Sequence, residues 1–149
     1  MREIPVGATG SYSMLVAVEH LASRFKDPLL PPVFATPMMV LAIENAALAA
    51  IKPYLEAGES AVGSRVDVMH LAATPVGQRV TAWAEVTAVS GRRIEFKVRA
   101  ADEVEEIGVG THERVLIDMR HFGERLDAKT NRGGGSAVSS PSGAGAADS

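Results

Sequence analysis

Residues 36–52, TPMMVLAIENAALAAIK, decide the fold of this chain. Thr36 followed by Pro37 predicts the start of a helix, because threonine is a good N-cap and proline fits the first helical position, where its missing N–H costs nothing. Pro53 predicts that the helix ends near Lys52. The helix is apolar on nearly all sides, so other structure has to wrap around it.

Strand patterns lie on both sides of this helix. Residues 9–19 carry β-favouring side chains, and four later segments are bounded by turn signals. These later strands are predicted at residues 66–71, 79–89, 94–100 and 107–118. The clearest is 94–100, where apolar and charged residues alternate and give one dry and one wet face. The prediction is an α+β fold, with an antiparallel sheet wrapped around one long central helix, because that arrangement hides both apolar surfaces.

The C-terminal segment has a different composition. Residues 128–149 contain five Gly, five Ser and no aromatic residue, so they cannot offset the entropy of ordering. We predict one folded domain over residues 5–126 and a disordered Gly/Ser/Ala-rich tail over 127–149.

Composition excludes several classes of function. The net charge is −3, which leaves no basic surplus for nucleic acid. The chain has no cysteine, which excludes disulfides, thiolate metal sites and a cysteine nucleophile. The N-terminus lacks the pattern of a secretion signal, and no apolar run reaches the roughly 20 residues of a membrane span. We therefore expect a cytoplasmic protein with no nucleic-acid or membrane partner.

Three side chains carry chemistry by their type and position. Thr36 lies at the predicted helix N-terminus, where the helix dipole stabilises negative charge, and taken by itself it fits a simple helix cap better than a catalytic group. Glu44 lies among apolar residues about 12 Å further along the helix. It is either an acid–base group or nucleophile, or half of a structural ion pair. His70 ends a predicted strand, and it either transfers protons near neutral pH or is structural.

Other residues give weaker signals. Gly63, placed just before the second predicted strand, fits a turn or bulge as well as a ligand contact. Arg114 either binds a carboxylate or phosphate or is a solvated charge. Trp83 faces away from its alanine neighbours and indicates packing or a dimer contact. No metal is expected, because no known ligand spacing is found among His70, His112 and His121.

Residues 33–118 resemble the fluoroacetyl-CoA thioesterase family of hotdog-fold enzymes. The motifs are FAT at 34–36, a glutamate eight residues after that threonine, HLAATP at 70–75 and GVGTHER at 108–114. Each motif alone is weak, and together they are specific. The resemblance implies the hotdog fold and hydrolysis of a short-chain acyl-CoA to the free acid and CoA, with no added cofactor.

The resemblance also implies particular site residues. A backbone N–H near Gly63 would bind the oxyanion, and two protomers would pair into a homodimer with the sites at their interface. The implied catalytic residues are Thr36, Glu44 and His70, and the implied substrate-binding residues are Gly63, Arg114, Leu30 and Phe34.

One position departs from the family pattern. Fluoroacetyl-selective members have an aromatic gate just before the FAT helix, where this chain has Leu30 in the segment DPLLPP. Fluoroacetyl preference is therefore not implied, whereas the thioesterase chemistry is unaffected. Two alternatives stay open: a non-catalytic acyl-CoA-binding domain, in which Glu44 and His70 hold the dimer together, and a hotdog enoyl-CoA hydratase or dehydratase. The short acid–histidine spacing expected of the latter is not found.

Overall fold

One short strand, two helices, four longer strands and a final helix follow one another over residues 2–133, the part of the chain that the computed structural model describes. Two single 3-10 turns, Val18–His20 and Lys52–Tyr54, complete the elements. The elements are β1 (Thr9–Leu15), α1 (Ala22–Phe25), α2 (Thr36–Ile51), β2 (Glu59–His70), β3 (Arg79–Ser90), β4 (Arg93–Ala101), β5 (Glu106–Asp118) and α3 (Met119–Gly133).

The five strands form a single antiparallel sheet in the order β1-β3-β4-β5-β2. β3, β4 and β5 are consecutive neighbours, and the turn between β3 and β4 contains Gly91 at φ +61°, a conformation that favours glycine. β1 and β2 lie at the two edges. Within residues 2–133 the outer side of β2 therefore pairs with no other strand.

Helix α2 lies against this sheet and supplies much of the core. Seven of its residues are buried: Met39, Ala42, Ile43, Ala46, Ala47, Ala50 and Ile51. The alanines allow close approach, and at Gly10 of β1 a Cβ atom would overlap the backbone of Ala46 and Ala50. The predicted sheet around one buried helix is confirmed.

The strand predictions after the helix hold to different degrees. β4 alternates buried apolar residues with exposed charged ones. The buried residues, each at most 4% exposed, are Ile94, Phe96, Val98 and Ala100. Trp83 faces away from the core. The guanidinium of Arg99 lies over its ring, 4.0 Å from the ring centre. The predicted dry and wet faces of 94–100 are confirmed.

The second strand is longer than predicted. β2 begins at Glu59, seven residues before the predicted start at residue 66. Gly63 therefore lies inside the strand rather than before it, at a shift of register between Gly63 and Arg65 that marks a β-bulge. Glycine and serine in this half hide the strand pattern locally, and pairing with β5 decides its structure.

The helix start also differs from the prediction. The N-cap of α2 is Ala35 in extended conformation, Thr36 is the first helical residue, and no side chain caps the helix. Thr36 is therefore not the predicted N-cap. Its hydroxyl is within hydrogen-bond distance of a residue from another element.

A third helix occupies the region where the tail was predicted to begin. Asp118 accepts hydrogen bonds from the backbone N–H groups of Arg120 and His121 at 3.0 and 3.1 Å and so starts α3. α3 continues to Gly133, so residues 127–133 of the predicted tail are helical, although no residue of this helix is buried. The remaining predicted tail, 134–149, lies outside the described residues.

Candidate active site

Thr36 and His70 form a hydrogen-bonded pair. Thr36 is the first residue of α2 and His70 the last of β2, and Thr36 Oγ1 lies 2.7 Å from His70 Nδ1. Nε2 of His70 is buried and has no hydrogen-bond partner among the described residues. Two side chains that are 34 residues apart are thus placed to share a proton.

The pair lies on the wall of a cavity of about 380 Å³. Two other predicted substrate-binding residues, Leu30 and Phe34, line the same cavity. The remaining lining residues are mostly apolar or small, with Lys26 as the single charged side chain among them. Four of the seven predicted site residues therefore meet at one cavity.

Burial shapes the chemistry of His70. Loss of solvent lowers the pKa of His70 below its ordinary value, because the charged imidazolium is disfavoured there, while a backbone hydrogen bond at Ala72 opposes that shift. The neutral imidazole is then the prevailing form near pH 7. A neutral imidazole bonded to a hydroxyl can accept its proton or orient it.

Glu44 lies in a second cluster, two helical turns further along α2. Its Oε2 is 3.6 Å from Nη1 of Arg114, and its side chain is 38% exposed. A Cβ atom on Gly63 would lie 2.5 Å from the same Oε2. The bare backbone of Gly63 therefore leaves room for the carboxylate. This cluster contains the other three predicted site residues.

Arg114 is buried, at 8% exposed, and is held from two sides. Nη2 donates to the carbonyl of Ala61 at 2.8 Å, and Nη1 lies 3.2 Å from Nε2 of His112. Burial lowers the pKa of Arg114 from its ordinary value and the Glu44 carboxylate opposes that shift. A guanidinium stays charged throughout the physiological range. Arg114 thus provides a fixed positive charge beside Glu44.

Two residues of these clusters, His112 and Lys26, were not among the predicted site residues. His112 bonds Arg114 and also the backbone of β2, and Lys26 lines the cavity of the Thr36–His70 pair. For His112 a signal existed, since positions 112 and 114 of a strand face the same side. For Lys26 there was none, because it follows α1 in an irregular segment.

Comparisons with known proteins show the family to which this chain belongs. A model of the fluoroacetyl-CoA-specific thioesterase family matches residues 16–120, well over half of the chain. The chain belongs to this family. One relative, the fluoroacetyl-CoA thioesterase of Streptantibioticus cattleyicolor, is 48% identical over 103 residues, which are 69% of this chain and 74% of that protein.

Solved structures of thioesterases have the same fold as this chain, both a fluoroacetyl-CoA thioesterase and a wider member of the thioesterase superfamily. A structure of a fluoroacetyl-CoA thioesterase superposes with a TM-score of 0.81 at 38% identity, covering 86% of this chain and 98% of that one. A thioesterase superfamily member from Thermus thermophilus superposes with a TM-score of 0.85 at 33% identity, covering 91% of this chain and 100% of the other. The predicted hotdog fold and the predicted class, a thioester hydrolase, are confirmed.

Residues 2–133 offer neither a metal site nor a membrane span. No group of three metal-ligating side chains lies close enough together there to hold a metal ion. No helix in this part of the chain is long and apolar enough to cross a membrane.

Proposed function

We propose that this member of the family hydrolyses a short-chain acyl-CoA to the free acid and CoA, with Thr36, Glu44 and His70 acting on the thioester. The observation that carries the proposal is the 2.7 Å contact between Thr36 Oγ1 and His70 Nδ1 at the wall of a cavity. Hydrolysis adds the oxygen of water to the acyl carbon, breaks the C–S bond and delivers a proton to the leaving thiolate.

Thr36 acts on the thioester carbonyl, and His70 transfers the proton. Thr36 lies at the N-terminus of α2, where unpaired N–H groups and the helix dipole stabilise the charge that develops on the thioester oxygen. His70, neutral near pH 7 because burial lowers its pKa, accepts a proton through the hydroxyl it bonds or passes one to the sulfur.

Glu44 supplies the carboxylate of the reaction. It either removes a proton from the attacking water or attacks the acyl carbon itself to give an anhydride, and both routes fit a partly exposed carboxylate beside a guanidinium. Glu44 lies about 12 Å along the helix from Thr36. The acyl group would therefore lie between the two clusters, or one cluster would act from the partner protomer.

The cavity beside the Thr36–His70 pair has room and an apolar lining for an acyl group. Its volume is about 380 Å³, and Leu30, Phe34 and alanine side chains line it. Leu30 stands where the family's fluoroacetyl-selective members have an aromatic gate. We therefore propose a short acyl group and do not restrict it to fluoroacetyl. In this proposal a backbone N–H near Gly63 binds the carbonyl oxygen and Arg114 lies near the acyl group when their cluster acts from the partner protomer, so that the carbonyl also faces the N-terminus of α2.

The proposal includes a homodimer in the cytoplasm. β2 spans Glu59–His70 and forms an edge of the sheet, so within the described residues its outer side pairs with no other strand. Such an edge favours pairing with another strand. β2 carries both His70 and Gly63, so pairing along it would place the sites at the interface.

Thiol release from a panel of acyl-CoAs tests the proposal. The panel contains acetyl-, fluoroacetyl-, propionyl-, malonyl-, phenylacetyl- and longer acyl-CoAs. We expect turnover that prefers one short acyl group. No release from any acyl-CoA, together with measured binding of acyl-CoA, would instead support the non-catalytic binding domain.

Variants test the site assignment in the same assay. Glu44→Gln and His70→Ala should abolish turnover of a protein that stays folded by circular dichroism. Glu85→Gln on β3 and His121→Ala on α3 are matched controls, because both side chains are partly exposed and belong to neither cluster. Retained hydrolysis in both site variants would show that these residues are not the catalytic ones.

A further inference from the structure

His112 is a buried histidine to which the proposed function gives no role. It is 2% exposed on β5, and its ring stacks on that of Phe96 with centroids 5.7 Å apart. Both of its nitrogens have partners: Nδ1 lies 2.7 Å from the carbonyl oxygen of Arg65, and Nε2 lies 3.2 Å from Nη1 of Arg114. A purely space-filling side chain would not need two polar partners.

These partners select one form of the imidazole. A carbonyl oxygen only accepts, so Nδ1 must carry a proton to bond Arg65. A guanidinium only donates, so Nε2 must be unprotonated to accept from Arg114. The neutral Nδ1–H tautomer is the single form of His112 that satisfies both contacts.

Arg114 links His112 to the carboxylate of Glu44. The guanidinium is fixed by acceptors on two strands, Ala61 on β2 and His112 on β5, and the nitrogen that meets His112 is also the one 3.6 Å from Glu44 Oε2. Without the acceptor on His112, Arg114 keeps one anchor and can rotate about it. The Glu44 carboxylate would then lose its fixed counter-charge.

We propose that His112 is a positioning residue for thioester hydrolysis, which as its neutral Nδ1–H tautomer orients Arg114 and through it Glu44. The inference rests on the proposed function, because it assumes that Glu44 performs the chemistry. His112 itself does not touch the substrate in this scheme. Its loss therefore lowers kcat through misplacement of Glu44 and Arg114 and not through a missing catalytic group.

Protonation of His112 would undo the arrangement, since an imidazolium presents two N–H groups and faces Arg114 with a like charge. The charged groups around it are Glu44 from α2 and Arg114 and Glu113 from β5, while β2 contributes the Arg65 carbonyl. Burial lowers the pKa of His112, and Arg114 adds to this, against the raising effect of the Arg65 carbonyl, Glu44 and Glu113. The arrangement is thus intact at neutral pH and is lost in acid.

Two near-isosteric variants separate the two contacts. In His112→Gln the amide oxygen reaches the position of Nε2 and can still accept from Arg114, whereas in His112→Asn the amide reaches only the position of Nδ1 and can still bond Arg65. We expect kcat to fall roughly 10- to 100-fold in His112→Asn and markedly less in His112→Gln, because a 1 Å misplacement costs about that much. KM should change little in either variant, and His121→Gln is the exposed control.

The acid limb of the pH profile of kcat distinguishes a positioning role of His112 from a structural one. A purely structural residue would not contribute to it. In the wild type kcat should fall as His112 takes up a proton, and in His112→Gln this component should disappear while that of His70 remains. Equal kcat losses in the Gln and Asn variants, in proportion to their losses of stability, would overturn the positioning role.

Nitrogen NMR of the wild-type ring tests the proposal without any variant. We expect neutral imidazole shifts with the proton on Nδ1 at pH 7, and an Nε2–H tautomer or an imidazolium there would overturn it. Glu44→Gln, assayed in parallel, distinguishes a failure of the proposed function from a failure of the role given to His112. If Glu44→Gln keeps turnover, the proposed function fails; if it loses turnover while His112→Asn keeps full kcat, only the role of His112 fails.

Discussion

Thr36 Oγ1 lies 2.7 Å from Nδ1 of His70, although the two residues belong to different elements and are 34 positions apart. The contact ties the start of the central helix to the end of an edge strand. The hydroxyl of Thr36 does not cap the helix, because Ala35 is the N-cap and no side chain forms a capping hydrogen bond there. A capping role, which the sequence left open, is therefore not what this hydroxyl does.

Replacing the Thr36 hydroxyl should separate catalysis from stability. Thr36→Val keeps the shape of the side chain, and we expect kcat to fall about 100-fold or more, in the range of a lost acid–base contact. The free energy of unfolding should drop by only about 1 kcal/mol for the lost hydrogen bond. Thr36→Ser keeps the hydroxyl and should retain most of kcat. Thiol release and urea unfolding measure the two quantities.

The control for this pair is Thr81→Val on β3, where the hydroxyl forms a 2.8 Å hydrogen bond with Ser13 on the outer face of the sheet. That variant should match the wild type in kcat. Full turnover by Thr36→Val would leave Thr36 with a structural role alone.

A methyl group at Gly63 should lower activity and spare the fold. The added Cβ would lie 2.5 Å from Glu44 Oε2, which is the end of a flexible side chain and can move away. Because the carboxylate is displaced, we expect Gly63→Ala to lower kcat roughly 10- to 100-fold. Thiol release per folded molecule and urea unfolding measure the outcome.

Gly10→Ala provides the contrast. There the Cβ would overlap the backbone of Ala46 and Ala50 in α2, which cannot move without shifting the helix. We expect Gly10→Ala to lose about 1–3 kcal/mol of stability or more, and Gly63→Ala to lose less. Unchanged kcat in Gly63→Ala would mean that the position of Glu44 beside Gly63 has no catalytic importance.

Stability should decrease in mild acid. Burial lowers the pKa of both His70 and His112 below the ordinary value of 6.5. Between 6.5 and these lower folded-state values the unfolded chain binds more protons than the folded one, so the free energy of unfolding falls as pH falls. Above about pH 8 both histidines are neutral in either state and contribute no slope.

Urea unfolding at pH 5.5, 6.5 and 7.5 measures this slope. His70→Asn and His112→Gln should each flatten it, whereas Thr81→Val, which removes no titratable group, should leave it unchanged. A midpoint that does not vary with pH in the wild type would contradict the effect of burial on both histidines.

The last turns of α3 should contribute little to stability. No residue of Met119–Gly133 is buried, so the helix has few contacts to lose. We expect deletion of residues 128–149 to change Tm by less than about 2 °C. Differential scanning calorimetry of the full chain and of the shortened chain measures the change, and a drop of several degrees would show that this segment docks on the domain.

The sequence by itself determined the central helix and the alternating strand β4. In both cases the pattern is local: a continuous apolar run longer than a strand, and a strict period of two over residues 94–100. The need to bury the helix then required a curled sheet, and the motifs at 34–36, 70–75 and 108–114 indicated the family. These features depend on residues that are neighbours along the chain.

Only the tertiary structure decided the first half of β2 and the grouping of the site. Residues 59–65 have weak strand propensity and become a strand because β5 pairs with them. The tertiary structure also divides the seven predicted site residues into two clusters, one around the Thr36–His70 bond and one around Glu44, and adds His112 to the second. Contacts between residues tens of positions apart depend on how strands and helix pack, and no local pattern encodes that packing.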